Sequence, residues 1–213
     1  RGSTPAHPPR PAPPCESPGR QPHAARLGMW LFLATEVLLF TALFAAYGVY
    51  RFLYAPAFAE ASRNLATWIG AVNTVVLVTS SFTVAMGLHQ AVHGRGRRTA
   101  VLFGISVLLA LVFLGFKYVE YSHHFHAGDL PGRYYRGEIP GVGASVFYTL
   151  YFLITGLHGI HVLIGMIVLA VVGALAWTGR YDAAYHTPVE LAGLYWHLGD
   201  LIWVFVFPLI YLV

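Results

Sequence analysis

ASVFYTLYFLITGLHGIHVLIGMIVLAVVGALAW, residues 144–177, contains no Asp, Glu, Lys or Arg. A bilayer core of about 30 Å is crossed by about 20 apolar residues in helical form, because lipid offers backbone N–H and C=O groups no hydrogen-bond partner. This stretch exceeds that length, so it reads as a membrane helix that tilts or projects from the bilayer. Four blocks of the same kind surround it, at residues 27–50, 67–92, 100–121 and 190–213. The expected fold is an all-α membrane protein, with a bundle of five transmembrane helices over residues 27–213.

Composition agrees. Of 213 residues, 57% are hydrophobic and only 10% charged, and the mean hydropathy is +0.61; a soluble domain of this length is far more polar. The net charge of +4 raises nucleic acid as a partner, but the basic residues are dispersed between apolar blocks and form no continuous cluster. Anionic lipid headgroups are the better counter-surface, with Arg95, Arg97 and Arg98 the candidate contacts. Cys15 is the single cysteine, which excludes an internal disulfide, a Cys-x-x-Cys-His haem attachment and a paired-cysteine copper site. The N-terminal stretch does not read as a cleavable signal, so the first block is expected to be a retained span.

Residues 1–26 carry Pro5, Pro8, Pro9, Pro11, Pro13, Pro14, Pro18 and Pro22 together with four arginines. That density of proline predicts an extended arm with no helix, either a flexible tail or a strap over a neighbouring subunit. Arg1, Arg10, Arg20, Arg26, Arg95, Arg97, Arg98 and Arg180 fall on the side of the N-terminus, whereas Arg51, Arg63, Arg133 and Arg136 fall on the other. The positive-inside rule then predicts a cytoplasmic N-terminus and an external C-terminus. An external loop beginning at Ser122 would hold His123, His124 and His126.

Ionisable groups inside the spans must be neutral, paired or turned away from lipid. Glu36 lies about 14 Å into the first span at 1.5 Å per residue. It is either a proton-linked or partner-facing carboxyl, or a neutral acid bonded between helices. In the second span Asn73, Thr74, Leu77, Ser80 and Ser81 share one face, a small polar stripe suited to close helix packing. Lys117 and Glu120 stand three apart near the outer boundary, where a lysine snorkels and an ion pair is tolerated. The fourth span puts His158 and His161 on one face beside Gly156 and Gly159, which suits either two imidazole ligands or a close helix contact. Into the fifth span run His186, Glu190, His197 and Asp200, a polar face of about 21 Å if helical throughout. With Glu36, Glu120 and His158 they would form a hydrogen-bonded network, a proton path or a dinuclear metal site. Glu120-x-x-His123 matches half of a carboxylate di-metal pattern, but its second half is missing.

The ordered motifs GMWLFLATEVLLFTALFAAY around Glu36, NTVVLVTSSFT from Asn73, FKYVEY ending at Tyr121, TGLHGIHVLIG from Thr155 and YWHLGDLIWVFVFPLIY from Tyr195 resemble subunit III of the haem-copper cytochrome c oxidases. The resemblance covers all five spans in order. It implies a non-catalytic, metal-free chain docked on subunit I, which carries the haems and copper that reduce oxygen, with subunit II nearby. It further implies bound phospholipid, support of proton uptake, protection of the catalytic subunit during turnover, and a bacterial plasma-membrane location. The acid matching Glu36 is the buried carboxyl that reacts with carbodiimides in that family. Many members have seven spans, and this chain looks like a shorter form lacking the first two. Lys117 stands where many members have Gln, and Gly199 where Val is usual. Two readings compete: a related accessory subunit of a quinol oxidase or nitric oxide reductase, and a free-standing membrane metalloenzyme built on His158, His161, His197, Glu36 and Asp200.

Overall fold

In hydrocarbon a helix satisfies its own backbone, so each apolar block becomes one continuous helix. The computed structural model describes residues 20–181 and 185–212. Its elements are α1 (Arg20–Leu53), α2 (Ala55–Arg63), α3 (Thr67–Val92), α4 (Gly96–Ala127), a one-turn 3-10 helix (Gly132–Tyr134), α5 (Val142–Trp177) and α6 (Thr187–Tyr211). Five of them, all but α2 and the 3-10 turn, are long and apolar enough to cross a membrane. Among the described residues there is no strand.

Three details differ from the sequence reading. Residues 20–26, read as part of an extended arm, are already helical. Pro22 sits in the first turn, where a missing N–H breaks no intrahelical bond. The rest of the arm lies outside the described residues. Second, α4 continues beyond its apolar block to Ala127, so His123, His124 and His126 ride on a helix and not in a loop. It stops only at Gly128, whose φ of +82° makes the left-handed cap, with the Asp129 N–H donating to the His124 carbonyl at 3.0 Å; glycine enters this conformation without a Cβ clash. Third, α2 was not anticipated. Nine residues are too few to span a bilayer, and α2 instead lies against the bundle end with Phe58, Ala61 and Ser62 buried.

The hairpin of α3 and α4 packs with α5 and α6 into a four-helix core, and α1 joins its edge against α5 and α6. Trp203, Tyr148, Tyr151, Phe113 and Phe147 fill the centre. Small residues let the large ones in: a Cβ at Gly165 would sit 2.9 Å from the Trp196 ring, and one at Gly87 2.7 Å from Phe103. Large apolar side chains such as Leu31, Phe52, Phe82, Leu108 and Phe205 face outward, the reverse of a soluble surface. The two bundle ends are tied separately. At one, Arg26 pairs with Glu190 and Gly96 abuts the Ala176 carbonyl. At the other, the Ser62 hydroxyl donates to the Ile210 carbonyl at 3.1 Å.

Candidate functional site

The first span brings Glu36 to α5. Its Oε2 lies 2.5 Å from His161 Nε2, with both side chains mostly buried. His161 Nδ1 is 2.8 Å from the Leu157 carbonyl; a carbonyl only accepts, so Nδ1 carries a hydrogen. One further proton must therefore lie between Nε2 and Oε2, held either by a neutral carboxyl or by an imidazolium facing a carboxylate. Around this pair, the Phe40 edge meets the His161 ring at 5.4 Å, and the Tyr195 hydroxyl donates to the His161 carbonyl at 3.2 Å. The arrangement can hold a proton inside the membrane between two helices.

Lys117 does not snorkel. It is 6% exposed, because its Nζ is held 2.9 Å from Glu120 Oε2, 2.9 Å from Tyr211 Oη and 3.3 Å from Tyr151 Oη. Tyr211 Oη in turn donates to Glu120 Oε1 at 2.6 Å. The rings of Tyr121, Tyr151, Trp203 and Tyr211 surround the ammonium at 5.0–5.6 Å, a geometry that favours a cation. An internal ion pair with every oxygen bonded replaces escape to the headgroups, and it fastens α4, α5 and α6 together.

The polar groups of α6 split apart. Glu190 binds Arg26 at 2.7 Å and His186 at 3.0 Å. His197 Nδ1 meets the Ser81 hydroxyl at 2.6 Å, and Asp200 is buried with Oδ2 lacking a hydrogen-bond partner among the described residues. Although only three residues from His161, His158 is fully buried elsewhere, between the rings of Phe113 and Trp203 at 5.7 and 5.1 Å. Glu36, Glu120, His158 and the polar groups of α6, read as forming a hydrogen-bonded network, a proton path or a dinuclear site, thus make separate contacts, with His158 and Asp200 Oδ2 unbonded among the described residues. Among the described residues no three His, Cys, Asp or Glu side chains converge as a metal site would require; of the five residues of the metalloenzyme reading, Glu36 and His161 meet each other, while His158, His197 and Asp200 make other contacts.

In the α3 stripe, Asn73 and Ser80 are both fully buried. Ser80 accepts from Trp196 Nε1 at 2.8 Å. Ser81, by contrast, faces His197. Gly156 has one neighbour, Tyr121 Oη at 3.6 Å from its virtual Cβ, while Gly159 has nothing within 4 Å and is not a packing contact; its side of α5 is open. Arg95 donates to Gln90 Oε1 at 3.3 Å, Arg97 lies 6.0 Å over the Trp177 ring, and Arg98 is exposed. Tyr151, Trp203 and Tyr211, the walls of the Lys117 box, were missed by sequence reasoning. Each looks like an ordinary core aromatic until the helices are assembled. Outside the spans, burial pushes the Tyr135 phenol up from its ordinary value, opposed by the Ile139 N–H that donates to its oxygen at 3.2 Å.

Comparison with known families decides what these pairs belong to. The family model described as "Cytochrome c oxidase subunit III" matches residues 21–213. The chain belongs to this family. Relatives within it include the cytochrome c oxidase subunit 3 of Synechocystis sp., 30% identical over 90% of this chain and 76% of that protein. That of Thermostichus vulcanus is 32% identical over 87% and 86%. The chain is similar at nearly the same level to the cytochrome bo(3) ubiquinol oxidase subunit 3 of Pseudomonas aeruginosa, 29% identical over 87% and 83%. As a subunit III family member with five apolar helices, it is a multi-pass membrane protein.

Proposed function

We propose that the chain is a non-catalytic core subunit of a haem-copper terminal oxidase in aerobic respiration, seated in a bacterial plasma membrane with its N-terminus cytoplasmic. The carrying observation is the family match across all five spans. Two polar pairs support it: Glu36 with His161 and Lys117 with Glu120 are each closed on themselves, the pattern of a scaffold and not of a redox centre. Haem and copper then reside in the partner subunits I and II. The outward apolar faces pack on subunit I and on phospholipid. α1 supports that reading, since 11% of its most apolar window is buried within the chain, against 28% to 39% for the other four spans. Its remaining surface needs a cover of lipid or protein. Within this role Glu36 and His161 act as the proton-holding pair that assists proton uptake. The orientation rests on the arginine asymmetry between the two bundle ends.

Purification of the complex, with mass spectrometry of co-eluting subunits and a reduced-minus-oxidised spectrum, tests the proposal. Subunits I and II with haem a absorption are expected. A chain that purifies alone, or that retains stoichiometric iron or copper after its partners are stripped, would overturn it. The near-equal similarity to a quinol oxidase subunit sustains a second reading, in which the complex oxidises quinol. Turnover of the purified complex with reduced cytochrome c against turnover with quinol separates the two.

A further inference from the structure

Asp200 lies on α6, 7% exposed, with Oδ2 buried and no hydrogen-bond partner among the described residues. A buried carboxyl oxygen left without a hydrogen bond is a destabilising feature in either protonation state, so such groups are ordinarily satisfied by protein or by ordered water. Asp200 lines a cavity of about 10 Å³ shared with His161, Val162, Tyr195, Trp196 and Gly199. That is the room one water occupies, and water enters where two or more polar groups face it. Two do. Asp200 offers its carboxyl group, and the Tyr195 hydroxyl, whose hydrogen goes to the His161 carbonyl at 3.2 Å, has a free lone pair.

Gly199 does not control the space: a Cβ there would meet nothing within 4 Å, so a side chain at this position points into open space, away from the packed walls of the cavity.

We propose that this cavity is a hydration site holding one ordered water, which donates one O–H to Asp200 Oδ2 and the other to the Tyr195 hydroxyl oxygen. The hydrogen-bonded chain then runs from Asp200 on α6 through water and Tyr195 to the His161 carbonyl on α5. The ring of His161 already holds Glu36 on α1. Water thereby joins the fourth and fifth spans at the level where the first span docks. The site does not depend on the oxidase reading or on any proton-linked role of Glu36.

The test is a density map of the chain in the complex with which it purifies, at a resolution that shows single waters, for the unaltered protein and for Asp200→Leu. The expected result is a peak about 2.5–3.0 Å from both Asp200 Oδ2 and Tyr195 Oη, absent in Asp200→Leu while the α6 backbone is unmoved. An unaltered protein with no peak overturns the proposal. So does an Oδ2 bonded instead to a lipid headgroup or a partner subunit, or a peak that persists unchanged in Asp200→Leu. Should Asp200→Leu fail to assemble, Tyr195→Phe serves in its place, and a peak that survives there unchanged is equally fatal. A chain isolated without oxidase partners would sink the functional assignment while leaving this map to be scored on its own.

Discussion

Glu36 Oε2 on α1 stands 2.5 Å from His161 Nε2 on α5, so the least buried span is fastened to the bundle by a contact that contains a proton. Either partner can own that proton, but the contact needs it. Removing the acid's charge is therefore a smaller insult than reversing it.

Glu36→Gln is expected to assemble with partner subunits nearly as well as the unaltered chain, because the amide still donates to or accepts from the imidazole. Interhelical hydrogen bonds in membranes average only about 0.6 kcal/mol. Glu36→Lys sets an ammonium against the same ring, with an insertion penalty of about 2.5–3.5 kcal/mol, and should assemble poorly. Blue-native gels read both, and equal assembly of the Lys variant would contradict the burial of this position.

Lys117 and Glu120 behave as a unit. Lys117→Met strands a carboxylate that is 2% exposed with Tyr211 as its remaining donor, and should lower stability by about 3–5 kcal/mol. Adding Glu120→Leu removes the stranded charge and should recover much of the loss, whereas Lys117→Gln, which keeps a donor, should fall in between. Thermal unfolding of the purified complex in detergent measures all three. A double variant no more stable than Lys117→Met would show that the pair is not coupled.

A glycine at a helix contact and one facing open space should respond differently. A Cβ at Gly96 would lie 2.5 Å from the Ala176 carbonyl oxygen, a backbone atom that cannot swing aside, so Gly96→Ala should destabilise by about 1–3 kcal/mol. Gly159→Ala enters open space and should change stability by less than about 0.5 kcal/mol. The same melting assay distinguishes them, and a silent Gly96→Ala would mean that α4 does not approach the end of α5 this closely.

Arg26 and Glu190 pair at 2.7 Å, but Arg26 is 47% exposed. A double-mutant cycle with Arg26→Gln and Glu190→Gln should give a coupling below about 1 kcal/mol, shrinking as salt shortens the screening length. Coupling that is large and insensitive to salt would place the pair beneath a covering subunit.

Hydropathy alone made the five spans and their order legible, because a bilayer rejects unpaired backbone and any long uncharged run must become a helix. Boundaries at α3 agreed closely, since turn-forming residues flank that block. At α4 the apolar run ends near Tyr121 but the helix ends at Gly128, as backbone capping and not hydropathy stops it. The short α2 escaped notice because its nine residues fall below the length of a span, although Pro56 in its first turn and the face of Phe58, Ala61 and Ser62 are local helix signals.

The order of amino acids alone dictates the solvent, the number of spans, the family motifs and which acids and imidazoles need shielding. Which group shields which was decided only by tertiary structure. His158 and His161 are near neighbours on one helix, yet one is sealed between Phe113 and Trp203 while the other holds Glu36. Lys117 looked like a residue reaching for water until Tyr151 and Tyr211, from two other helices, closed around it. The physical reason is that helical periodicity assigns a residue to a face, whereas the partner on the far side depends on the rotation, tilt and register of a second helix. Those quantities come from packing side chains across the whole bundle, and no single segment contains them.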